Sequence, residues 1–250
     1  DPLTAAGVGH PSDFTSFLDE AALEGARIGV LRESMGMNSA PESEDFNQVS
    51  RVFDRAVAEL RDLGAEIVDP VVIPGLKPLL ARRATDPMAQ EESFRRYFER
   101  GRNPPYGSWM ELLKAPQLAN IKGRARSIGS SASDPGAYAD YLAARDELMI
   151  RFLVVMADNG LDAVVHRSME HQPGLIEDAF SPTASNRGAP YLNTFLLDVP
   201  AITVPAGFTG DGLPAGITFM GRPYTDGAIL RLAYAYEQAT QHRRPPASTS

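Results

Sequence analysis

The chain has 250 residues, 43% of them hydrophobic, enough to bury a substantial core in one large domain or two small ones. Its formal net charge of −8 leaves no basic footprint for a nucleic acid, and the lack of cysteine excludes a disulfide, a thiolate zinc site or a catalytic thiol. No apolar run approaches a membrane span, since the best one, "FLVVMA" from Phe152, is short and follows Arg151.

The first residues, "DPLTAAGVGH", have neither an initiator Met nor the basic and apolar regions of a signal peptide, and they read as the interior of a longer chain. Arg27 to Leu31, "RIGVL", is a β-prone run. After it, Phe46, Val49, Phe53, Ala56, Val57, Leu60 and Leu63 recur at helical spacing. Ser39 and Glu42 have capping-box spacing near the start of that helix, Gly64 is placed to end it, and "EIVDPVVI" reads as a second strand. The spacing predicts a βαβ unit with parallel strands.

From about Pro74 to Gly129 no strand is evident, and Pro78, Pro87, Pro104, Pro105 and Pro116 interrupt helical patches. Short helices and loops are expected there. Asp134 followed by Pro135 opens a helix, because Asp caps free amides and Pro suits the first helical position. Tyr138, Tyr141, Leu142, Leu148, Met149, Phe152 and Met156 mark its buried stripe.

"LDAVVH", Leu161 to His166, is a strand, and "AITVPAGF" and "AGITFMG" form a hairpin joined by "TGDGLP". A last helix over 225–242 turns Ile229, Leu230, Ala233 and Tyr236 inward, and "RRPPASTS" is a frayed tail.

The run from Val199 to Thr240, "VPAITVPAGFTGDGLPAGITFMGRPYTDGAILRLAYAYEQAT", combines a repeated "VP" around a strand, the turn "DGLPAG" and the "GRP" at Gly221 to Pro223. In that combination it resembles the closing segment of the amidase signature family. "YLNTFLLDVPAITVP", "YADYLAARDELMIRFLVVMADNGLDAVV" and the junction "DPLTAAG" to "LEGARIGVLRE" resemble further parts of the same pattern. The resemblance covers only the C-terminal half of that pattern. It implies an α/β fold with a mixed, partly parallel β-sheet flanked by helices, residues 1–250 being the C-terminal portion of a single domain that is incomplete on its own.

The implied chemistry is hydrolysis of a carboxamide C–N bond through an acyl-enzyme, with no metal or organic cofactor. The family uses a Ser nucleophile, a second Ser in a cis peptide, and a Lys that takes a proton through the bridging Ser while backbone amides hold the oxyanion. None of those positions carries over to this sequence, so no catalytic residue is assigned here. The implied partners are a small-molecule amide substrate and the missing N-terminal half of the enzyme, with no nucleic acid and no membrane, in a cytoplasmic location. Two other readings stay open: an A-like subunit of a glutamine-dependent amidotransferase, and a noncatalytic binding module that keeps the fold.

"RSIGSSAS", Arg126 to Ser133, offers Ser130 and Ser131 as nucleophile look-alikes, but a single glycine precedes them and a helix opening follows, so a polar loop is the expected reading. Lys77, Lys114 and Lys122 belong to no recognisable lysine motif and read as surface residues. Glu91 and Glu92 read as a solvated helix face. "HRSMEH" offers His166, Glu170 and His171 as metal-ligand types, but the spacing of the two histidines does not match a helical metal pair. Position is more informative, because His166 and Ser168 leave a strand end where α/β folds place binding loops. The resemblance puts both near a substrate cavity and adds Tyr191, Asn193 and Thr194, which precede the "VPAITVP" strand. Trp109, the only tryptophan, reads as packing or as the wall of an apolar channel.

Overall fold

The computed structural model describes residues 7–36, 38–99, 105–116, 133–178 and 187–245. Their contacts divide into two compact units, one of residues up to 75 with 148–173 and 187–245, the other of residues 76–147 with 174–178. Ser130, Ser131, Lys122, Pro104 and the last five residues of the tail lie outside the described set.

The first unit is built on a mixed sheet. Among the described residues it has five strands, β1 (Arg27–Leu31), β2 (Glu66–Val71), β3 (Ala163–Arg167), β4 (Ala201–Phe208) and β5 (Pro214–Met220), in the order β2-β1-β3-β5-β4. β1 pairs in parallel with both β2 and β3. β5 runs antiparallel to β3 and to β4. The expected parallel βαβ unit and the hairpin are both present, the hairpin turn closing on bonds from Thr209 N to Leu213 O and from Gly212 N to Thr209 O.

Helix α1 (Glu44–Asp62) packs on one face of this sheet through Phe46, Val49, Val52, Phe53, Ala56, Val57 and Leu60. It ends as the sequence indicates, with Gly64 at φ +94 and Ala65 N donating to Leu60 O. Its start differs. The N-cap is Ser43, and Ser39 instead donates to the Glu170 carboxylate, a buried partner distant in sequence that outcompetes a local cap.

The second unit holds α2 (Leu76–Leu80), α3 (Pro87–Glu99) and α4 (Trp109–Leu113). Pro87 opens α3 rather than breaking it, because Asp86 Oδ1 caps the amides of Met88 and Ala89. Glu91 is not merely solvated, since its carboxylate accepts the N–H groups of Trp109 and Met110 at the start of α4. Glu92 is engaged by Arg95 and Arg96.

Helix α5 (Pro135–Asp158) starts as expected, with Asp134 Oδ1 accepting from Ala137 N. Leu148, Phe152 and Met156 are buried, but Leu142 is exposed and Ala144 and Val155 are buried in addition. β3 begins two residues later than the sequence suggests because Asp162 turns its carboxylate onto Arg27 N. The short helix α6 (Leu192–Phe195) precedes β4, and α7 (Asp226–Thr240) packs beside α1 on the same sheet face. In α7, Leu232 joins Ile229, Ala233 and Tyr236 in the core, while Leu230 is half-buried. The start of the tail is packed, the Arg244 guanidinium lying 3.8 Å above the Phe208 ring.

At the centre of β1 a side chain has no room: a Cβ on Gly29 would stand 2.6 Å from Val71 Cγ2 and 2.7 Å from Leu161 Cδ1. Gly29→Ala is expected to lower stability by roughly 1–3 kcal/mol, the usual cost of overpacking, measured as a shift in the urea unfolding midpoint.

Candidate functional site

Alternation along β3 sends Ala163, Val165 and Arg167 toward α1 and α7, and Val164 and His166 to the opposite face. Arg167 is correspondingly held among aromatics, 4.7 Å from the Phe46 centroid, and donates to Arg32 O. Burial lowers its pKa.

His166 is fully buried. Its Nδ1 lies 2.7 Å from Arg167 O, and a carbonyl only accepts, so Nδ1 carries the proton and Nε2 is the acceptor. That Nε2 is enclosed with no hydrogen-bond partner among the described residues. Desolvation lowers the imidazole pKa to about 4, so the ring is neutral near pH 7.

Beyond His166 the same face is polar. Ser168 Oγ and Thr218 Oγ1 are 2.8 Å apart, and Thr218 Oγ1 is 2.8 Å from Thr203 Oγ1, a chain of hydroxyls across β5 to β4. Thr218 stands opposite His166 in the register. Sequence reasoning missed Thr218 and Thr203, because the order of strands that places them beside His166 is not written in any local pattern.

Tyr191, Asn193 and Thr194 form a second cluster on and just before α6. Thr194 Oγ1 donates to Tyr191 O, Asn193 is exposed, and Tyr191 and Thr194 are half-buried. The segment leading into this helix is tied to the loop after β1: Tyr191 N donates to Met35 O, and Gly36 bridges Pro190.

Glu170 connects the two clusters. It is almost wholly buried, its backbone N–H donates to Gly188 O, and its carboxylate accepts from Met35 N, Gly36 N and Ser39 Oγ. The adjacent His171 accepts from Ala40 N at Nε2, so its Nδ1–H donates to Asp45 Oδ2, which Arg187 also engages at 2.9 Å. Burial opposes ionisation of Asp45, yet the bonds from Ser43 and His171 and the Arg187 charge hold its pKa below the usual value. Both ring nitrogens of His171 are thereby committed to structure, and the Glu170 carboxylate is spent on loop donors. No three His, Asp or Glu side chains among the described residues are grouped to hold a metal ion. Neither His171 nor His242 has a serine hydroxyl bonded to its ring among the described residues; His242 engages Glu59.

The fold is thus an α/β arrangement, a mixed sheet with helices and a polar strip where β3 ends. Residues 4–230 match the Amidase family, and the chain belongs to it. It is similar to the A-type subunit of the glutamyl-tRNA(Gln) amidotransferase of Moorella thermoacetica, 29% identical, covering 98% of this chain and 51% of that protein. The counterpart in Thermoanaerobacter pseudethanolicus is 27% identical, over 94% and 48%. The solved peptide amidase from Stenotrophomonas maltophilia is 27% identical with a TM-score of 0.68, covering 100% of this chain and 51% of that one. An amidase family protein from Bacillus anthracis, 19% identical, shares the fold at a TM-score of 0.69, over 98% and 44%. The chain spans about half the length of the curated relatives it matches. No helix among the described residues is long and apolar enough to cross a membrane.

The lowered pKa of His166 has a signed consequence. The unfolded imidazole takes a proton near 6.5 and the folded one only near 4, so stability is full above 6.5 and falls as pH drops through that window. Between pH 7 and pH 5 the expected loss is about 2 kcal/mol. His166→Asn, which keeps a donor for Arg167 O, should remove that part of the pH dependence in urea titrations at the two pH values; an unchanged dependence would contradict the assignment.

Proposed function

We propose that this chain forms the substrate-pocket portion of an amide hydrolase, acting on a small carboxamide with no cofactor, whose nucleophile, bridging serine and lysine lie on polypeptide outside these 250 residues. The observation that carries the reading is the Amidase family match over residues 4–230 in a chain about half as long as its relatives. The sheet agrees with it. β4, an outer strand, leaves Ala201 and Thr203 exposed, a border that further polypeptide can cover.

In this reading Ser168, Tyr191, Asn193 and Thr194, which keep solvent-facing area, meet the substrate. His166 lies behind them as a neutral group in the wall. The hydroxyls of Ser168, Thr218 and Thr203 can each donate or accept, so the strip adapts to either end of an amide without a charge. Excluding fixed charge from the wall leaves the developing oxyanion to the nucleophile's own surroundings.

The second reading, an amidotransferase A-type subunit that releases ammonia to a partner, is favoured by the names of the curated relatives. Glutamine-dependent ammonia transfer with copurifying subunits would select it over a free amidase.

The 250-residue chain alone is expected to release no ammonia from benzamide, glutamine or a peptide amide, and a fluorophosphonate should label none of its serines, Ser130, Ser131 and Ser168 included. The full-length protein should hydrolyse its amide, with Asn193→Ala raising KM about tenfold at nearly unchanged kcat, the mark of lost uniform binding. Hydrolysis by the chain alone would overturn the proposal.

A further inference from the structure

Within the first unit, an open groove of about 330 Å³ is lined by residues 206–208 at the end of β4, by Arg55 of α1, and by Gln241, His242 and Arg244, which follow α7. Its two guanidiniums lack the carboxylate that a surface arginine commonly finds. Glu59 stands one helical turn beyond Arg55, the spacing of an ion pair, but its carboxylate accepts from Tyr236 Oη and His242 Nε2 instead. Arg55 gives one N–H to Phe208 O, and the Arg244 guanidinium lies 3.8 Å above the Phe208 ring. Neither is paired with a carboxylate among the described residues. Two positive charges are thus anchored on one residue of β4.

Gly207 keeps space open beside them. It has φ +124, a conformation that side chains rarely adopt, and a Cβ there would stand 3.9 Å from Arg55 Nη2 and 3.8 Å from His242 Nδ1. A small ion resting on Gly207 therefore meets both groups at once. Because the Glu59 carboxylate only accepts, His242 Nε2 carries the proton, and in the neutral ring Nδ1 is an acceptor with no partner among the described residues. The groove offers two cationic donors and one acceptor.

We propose that this groove binds inorganic phosphate as the hydrogen phosphate dianion, its bare oxygens on Arg55 and Arg244 and its single O–H donating to His242 Nδ1. Two charges on the ion match two guanidiniums, and hydrogen bonds between ionised partners are the strong kind. Sulfate has the same charge and shape but no O–H at pH 8, and a phosphomonoester dianion lacks it too, so neither makes the third bond. The site uses first-unit residues outside the polar strip, and its test succeeds or fails independently of amide hydrolysis.

Equilibrium dialysis of the full-length protein against radiolabelled phosphate, at pH 8 and fixed ionic strength, should show saturable binding with a Kd on the order of 1 mM or tighter. Arg55 and Arg244 are exposed, so the fold tolerates their replacement. Arg55→Ala and Arg244→Ala should each weaken binding about tenfold, the worth of a charged hydrogen bond. Arg243→Ala, which removes the same charge from an exposed neighbour outside the groove, should leave it within about twofold. Sulfate and methyl phosphate should compete roughly fivefold less well than unlabelled phosphate. The proposal is overturned by absence of saturable binding at about ten times the stated Kd. It is equally overturned by an Arg243→Ala loss as large as that of Arg244→Ala, by undiminished binding in either groove variant, or by sulfate competing as well as phosphate.

Discussion

A buried carboxylate is tolerable only when its oxygens are met by donors, and Glu170 meets that condition by gathering three from the loop after β1. This requirement shapes the candidate site. Glu170 follows β3 by three residues, so satisfying it brings the loop containing Met35 to Ser39 against the end of the strand that carries His166. The same loop then pairs with Pro190 and Tyr191, which sets where α6 begins. His171, Asp45 and Arg187 repeat the arrangement one residue on, joining the start of α1 to the segment before α6. Two clusters far apart in sequence are thus positioned by ionic hydrogen bonds.

The sheet supplies the other half of the arrangement. One face is a conventional core under α1 and α7. The other carries a buried neutral histidine and a row of hydroxyls that ends at an exposed outer strand. Both outer strands contain a proline, Pro70 in β2 and Pro205 in β4, which removes one backbone donor from each border and weakens unwanted pairing.

Much of the fold is legible in the sequence because it is written in local periodicity. α1, its glycine stop, the Asp134–Pro135 opening and the β4–β5 hairpin all follow from spacing and turn chemistry. What is not legible depends on long-range competition. Ser39 looks like a cap until Glu170 is placed beside it, and Asp162 looks like strand until Arg27 claims its carboxylate. Glu170 and His171 read as metal-ligand types, since residue type alone does not reveal that backbone amides already occupy them. His166 and Ser168 stand out by their place at a strand end, but their neighbours Thr218 and Thr203 become visible only with the order of the sheet.

The account turns on Glu170 as the tie that holds the α6 segment, and amide hydrogen exchange in Glu170→Gln reads it most directly. The amides of Met35, Gly36 and Tyr191 should lose protection by about tenfold or more, as expected when a buried charged hydrogen bond is removed, while those of Val164 and Val165 in β3 keep theirs. Wild-type protection at Met35, Gly36 and Tyr191 in that variant would show that the loop and the segment are held by something else, and the account would fail.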